Sequence, residues 1–133
     1  MHPPVEILSV EAELERLSST YDVRYVVYDP TNFRRSAEVL EGKGLPMMEF
    51  QQSSQRMADA SASLLRLVQE KKLCHSGDPA FRAHVLAGTA KTYERGWRLH
   101  KDPRTRRSVG ALVALAMAAH IAQDSAPKAY WAL

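Results

Sequence analysis

Asp22-Val23-Arg24-Tyr25-Val26-Val27-Tyr28-Asp29-Pro30 is the stretch whose reading decides the fold. Val23, Tyr25, Val26 and Val27 are β-branched or aromatic, the residue types that suit a pleated, half-buried surface. They predict a short strand over Tyr25–Tyr28. Pro30 has no N–H to give and ends the ladder. Thr31-Asn32 offer capping side chains to an amphipathic segment that begins at Phe33. Asp29 therefore sits at the C-terminal end of a strand, where α/β sheets gather their ligands. On this local pattern it is either a carboxylate facing metal or substrate, or a solvated loop aspartate.

Working outward, the periodicity alternates. Val10, Leu14 and Leu17 form one face of a helix over Glu11–Leu17, with acidic residues at its start and Arg16 near its end. After the strand, a second helix runs from Phe33 to about Leu40, with Ala37 and Leu40 inward and Gly42 and Gly44 as cap and turn. Leu45-Pro46-Met47-Met48-Glu49-Phe50 reads as another short strand. This is the βαβ rhythm of a parallel sheet. Ser53-Ser54 cap a longer helix to about Lys71, with Met57, Ala60, Leu64, Leu67 and Val68 on its inner face. Leu73-Cys74-His75 suggests a short edge strand. Gly77-Asp78-Pro79 is a turn and N-cap for a helix that holds Phe81, Val85 and Leu86. His84 on that helix has no partner at metal spacing and reads as structural. The last helix, roughly Arg107 to Ala122, is apolar nearly all round and is expected to lie buried against the sheet. The expected organisation is one domain over 1–122 and a tail over 123–133, with Trp131 as a docking residue.

The bulk numbers bound the class. With 133 residues, 45% hydrophobic and 25% charged, the chain has the makeup of a soluble globular domain with a single core. Eighteen Lys+Arg against fifteen Asp+Glu leave a net charge of +3, mildly basic. The single cysteine, Cys74, excludes an internal disulfide and a cysteine zinc cluster, and is expected to be a buried, inert thiol. Met1-His2-Pro3-Pro4 lacks the marks of a secretory signal. The longest apolar run, Val109 to Ala119, is too short to span a bilayer, so no membrane partner is expected.

Charge placement says more than its sum. Thr92-Tyr93 and Trp97-Arg98-Leu99 around Gly96 predict a small hairpin. Around it lie Lys91, Arg95, Arg98, Lys101, Arg104, Arg106 and Arg107, opposed only by Glu94 and Asp102. Cations interleaved with Tyr93 and Trp97 suit a nucleic-acid interface, and equally a solvated charged loop.

Taken in order, these pieces carry a resemblance. Tyr28-Asp29-Pro30 is followed by Gly44-Leu45-Pro46-Met47-Met48-Glu49-Phe50, then by the long helix near Ser53-Gln55-Arg56-Met57. His75-Ser76-Gly77-Asp78-Pro79 with Arg82 and His84 comes next, and last Gly110-Ala111-Leu112-Val113-Ala114-Leu115-Ala116-Met117-Ala118. From about Pro3 to His120 the order resembles the C-terminal nuclease domain of tailed-phage terminase large subunits. The resemblance implies an α/β, ribonuclease-H-like domain, here partial: a short, mostly parallel sheet with flanking helices and a small basic β-ribbon. It implies viral DNA packaging, double-stranded DNA as substrate, other terminase or portal chains as partners, and the host bacterium's cytoplasm as location.

The resemblance also implies Mg²⁺ or Mn²⁺, because two hard cations clamping a phosphodiester need several carboxylate oxygens. Asp29 would be one of that cluster, as catalytic and metal-binding residue. The family's first aspartate lies on an N-terminal strand that this sequence does not show. Its third opens the final helix, where Gly110 stands here. With one of three expected carboxylates, and no Gly-rich phosphate loop ending in Lys-Ser or Lys-Thr, the chain alone is expected to cut DNA weakly or not at all. The alternatives are a non-catalytic DNA-binding or interaction module and a decayed prophage remnant. An unpartnered apolar edge on the strand from Val23 would favour self-association or docking on another chain.

Overall fold

The computed structural model describes residues 4–125, so Met1 to Pro3 and Trp131 lie outside the described residues. The chain divides into two compact units, Met1–Gln51 and Gln52–Leu133.

In the first unit, α1 (Ile7–Thr20), β1 (Val26–Tyr28), α2 (Arg34–Gly42) and β2 (Met47–Glu49) follow in order. β1 and β2 pair in parallel, with Val26 opposite Met47 and Tyr28 opposite Glu49. α2 is the crossover, so the predicted βαβ unit is present. The pairing extends past both strands: Val26 N–H donates to the Pro46 carbonyl at 2.8 Å and Phe50 N–H to the Tyr28 carbonyl at 2.7 Å. α2 buries Ala37 and Leu40, the predicted pair. Its end is a Schellman turn: Gly44 N–H donates to the Glu41 carbonyl and Leu45 N–H to the Leu40 carbonyl. That turn requires a left-handed residue, and Gly44 supplies it at φ 93°.

Two local expectations change here. α1 is longer than predicted at both ends, and its first turn carries no acidic residue and its last no basic one. Arg16 does not answer the helix dipole; it pairs with Glu13 one turn back, at 2.6 Å. Nor do Thr31-Asn32 cap α2, whose N-cap position is Phe33 with no side-chain bond. The turn before α2 is organised by Asp29 instead, as described below.

The second unit holds α3 (Ser54–Gln69), α4 (Pro79–Ala87), β3 (Gly88–Tyr93), β4 (Gly96–Lys101) and α5 (Gly110–Ser125). Ser53 caps α3 through Arg56 N–H, and Asp78 caps α4 through Phe81 N–H at 2.9 Å. β3 and β4 form the predicted hairpin, longer by several residues on each strand, and it stands as a two-stranded antiparallel sheet of its own. α5 packs mainly on α3 and α4, with Leu112, Ala116 and Met117 buried, and not on a sheet as expected. The ribbon is too narrow to cover a helix that apolar, so neighbouring helices do.

Three further expectations are corrected. Met57, Ala60 and Leu64 line the inner face of α3, but Val68 is 54% exposed and the buried places beside them go to Ser61 and Ser63. Leu73-Cys74-His75 forms no strand, and Cys74 is exposed, because the segment is a connection between two helices that pairs with neither sheet. Leu86 is 65% exposed although it sits on an apolar helix.

α3 ends in a second Schellman turn, with Lys71 N–H on the Val68 carbonyl and Lys72 N–H on the Leu67 carbonyl. Its left-handed residue is Lys71, at φ 56°, where a side chain costs roughly 1 kcal/mol. Lys71→Gly is therefore expected to stabilise the protein by about that amount, read as a higher urea midpoint with unchanged slope. Among the described residues no helix is long and apolar enough to cross a membrane.

Candidate functional site

Asp29 lies directly after β1, half-buried, with Pro30 buried behind it. Its Oδ1 accepts the Thr31 N–H at 2.8 Å, a local bond that shapes the turn into α2. Beside it, the paired residues Tyr28 and Glu49 share one face of the sheet. Glu49 is held by Arg34 at 3.0 Å, and Tyr28 rests against the Phe33 ring at 5.9 Å. Burial first, and then the Glu49 carboxylate, push the Tyr28 phenol above its ordinary range. Glu49 is thus already committed to Arg34. Among the described residues, no group of three or more His, Cys, Asp or Glu is placed to hold a metal ion.

Gly110 opens α5. A Cβ built there would meet only Ser108 Oγ, at 3.6 Å, so the position has room for a side chain that the sequence does not provide. The first turn of this helix is engaged from α4: Ala111 N–H donates to His84 Nδ1 at 2.9 Å. That bond holds the neutral imidazole as its Nε2–H tautomer. Nothing in the sequence pattern pairs residues 84 and 111, which meet only because α4 packs on α5.

The register of the ribbon sorts its cations. Lys91 stands opposite Arg98, and Thr89 opposite His100, so these share a face with Tyr93. The Lys91 ammonium lies 5.7 Å from the centre of the Tyr93 ring. Trp97 points the other way, with Ala90 and Leu99, onto a cleft of about 310 Å³ lined also by Leu64, Val85 and Leu112. The interleaved aromatics of the sequence therefore divide, one to each face. Arg98 is half-buried; its guanidinium reaches the Gln52 carbonyl at 3.5 Å and its Nε has no hydrogen-bond partner. Arg95 sits in the turn with Glu94, Lys101 closes β4, and Arg106 and Arg107 lie exposed before α5. Arg104 is engaged already, with Nε and a terminal nitrogen both on Asp102, at 3.0 and 2.9 Å. That fork holds the Asp102 carboxyl below its usual range.

The ribbon is fastened to α3 by a residue the sequence reading passed over. Ser61 is 1% exposed; its hydroxyl donates to the Met57 carbonyl at 2.6 Å and accepts Leu99 N–H at 3.0 Å. A serine among the apolar positions of a helix face was the available signal. Further along, Ser63 Oγ meets His120 Nδ1 at 2.9 Å, joining α3 to α5.

Against known proteins, the sequence model of the family described as terminase large subunit, endonuclease domain, matches residues 6–125. No curated protein matches the chain. The crystal structure of the HK97 bacteriophage large terminase is similar in fold, with a TM-score of 0.77 at 18% identity over 88% of this chain. The aligned part is 25% of that protein, so the present chain spans about a quarter of its length. The mixed α/β, ribonuclease-H-like arrangement that the resemblance implied is borne out. The chain belongs to the terminase large subunit family, as a match to its endonuclease domain.

Proposed function

We propose that this chain serves viral DNA packaging as the nuclease segment of a terminase large subunit, holding double-stranded DNA through its basic ribbon and contributing Asp29 to a divalent-metal carboxylate cluster. The observation that carries this reading is the family match over 6–125, together with a carboxylate at the end of β1. The donor set among the described residues does not fit a two-metal centre: Glu49 is tied to Arg34 and position 110 is glycine. Cutting by this chain alone is accordingly weak, and no metal-borne step is assigned to it. β1 pairs only with β2 among the described residues, and its outer edge is the proposed meeting place for a further strand, from a second copy or from another terminase or portal chain. Light scattering at low concentration tests that edge; a monomer at every concentration counts against a second copy.

The direct test is plasmid nicking with Mn²⁺ or Mg²⁺. Slow nicking that falls to background in Asp29→Ala supports the nuclease reading; nicking that survives the substitution rejects Asp29 as a metal carboxylate. Gly110→Asp places a side chain at the open start of α5, where the helix N-terminus favours a carboxylate. It is expected to raise stability by about 1 kcal/mol, read as a higher urea midpoint. The second reading, a DNA-binding module that does not cut, is favoured by the same sparse donor set. Its sign is salt-sensitive binding that is unchanged in Asp29→Ala and reduced severalfold in Arg106→Ala/Arg107→Ala.

A further inference from the structure

We propose that the cleft between the tip of the β3–β4 ribbon and the start of α3 is a subsite for an unpaired nucleobase, an inference that rests on the DNA-binding reading above. The cleft measures about 350 Å³ and is walled by Tyr93, Glu94 and Arg95 on one side and by Gln55 and Ala58 on the other. That size falls within the range of small-ligand pockets, ~300–1,000 Å³.

Its chemistry favours a base over a bare phosphate. Arg95 and Glu94 face the same space, so the charged walls cancel, and an isolated phosphate would meet a carboxylate as well as a guanidinium. Beside Gln55, the remaining lining is Tyr93, Ala58, Gly96 and Ser54, small residues around one aromatic ring, which suits a flat aromatic ligand. Two polar groups of the lining can answer a base edge. Gln55 Nε2 donates to Asp59 at 3.1 Å, which fixes the amide and leaves its carbonyl oxygen, like the Glu94 carboxylate, to accept from an exocyclic amine. The phosphodiester beside such a base has a partner in Lys91, whose ammonium stands over the Tyr93 ring. An aromatic platform flanked by cations is how single strands are held without sequence readout. Duplex DNA hides the faces of its bases in the stack, so this cleft admits a base only from an unpaired or extruded nucleotide.

Fluorescence anisotropy on the full chain tests the subsite with three labelled oligonucleotides: a single strand of about twelve nucleotides, the same strand with abasic positions at its centre, and the duplex. Tyr93→Ala is expected to weaken single-strand binding about tenfold and to leave duplex binding within about twofold, while Tyr93→Phe behaves as wild type. The abasic strand binds the wild type as the intact strand binds Tyr93→Ala. Gln55→Ala, which leaves the ribbon untouched, costs about threefold on the intact strand alone. Equal losses on single strand and duplex, or no loss in Tyr93→Ala while the duplex still binds, overturn the subsite and leave the DNA-binding reading standing. Failure of the wild type to bind any of the three overturns both.

Discussion

Phe50→Ala lowers the stability of the protein by about 3–5 kcal/mol, the range for emptying a buried phenylalanine site. Phe50 is fully buried and directly follows β2. Its N–H continues the parallel ladder onto the Tyr28 carbonyl, the last one before Asp29. Alanine keeps that backbone bond but removes the ring, so transfer energy and an unfilled cavity both count against the fold. Since domains are stable by only about 5–15 kcal/mol, this is a large fraction of the total. Urea unfolding followed by circular dichroism reads the loss, and Phe50→Leu should recover more than half of it. A change below about 1 kcal/mol would show that the site collapses around the smaller residue and that Phe50 does not hold the strand ends.

Ser61→Ala is expected to cost about 1–2 kcal/mol, the lower part of the penalty for a donor that loses its partner, because the Leu99 N–H is part-buried. The methyl fits where the hydroxyl was, so packing is conserved and the loss isolates one interaction. The helix does not need the serine's bond to the Met57 carbonyl. Leu99 N–H, however, faces Ser61 across the junction of β4 with α3 and loses its acceptor. A fall in melting temperature of several degrees is the coarse readout. Faster hydrogen exchange at the Leu99 amide, with the interior of α3 still protected, is the specific one. If the Leu99 amide exchanges at the wild-type rate, the serine is not what fastens the ribbon. Looser attachment also predicts weaker DNA binding through Lys91 and Arg98, which ride on the same two strands.

What could be read in advance was local. Pro30 ending a strand, Gly44 in a left-handed turn, Ser53 and Asp78 as caps, and Ala37, Leu40, Met57, Ala60 and Leu64 as inward positions all depend on residues within a turn or two of one another. Backbone preference and helical periodicity act at that range, and the structure follows them. Errors came where a residue's surroundings are set by distant chain. Val68 has the right spacing for the core, yet it is exposed because, among the described residues, none covers it. Cys74 looked like core and lies in an exposed connection.

The candidate site divides the same way. That Asp29 stands at a strand end, that position 110 has no carboxylate, and that the cations cluster over 91–107 belong to the sequence alone. Only the tertiary structure decided that Glu49 answers to Arg34, that His84 holds the start of α5, and that Trp97 turns away from the face of Lys91 and Arg98. The reason is physical: which residues exist and how they repeat is written along the chain, whereas strand register and helix contacts join positions that no local preference connects.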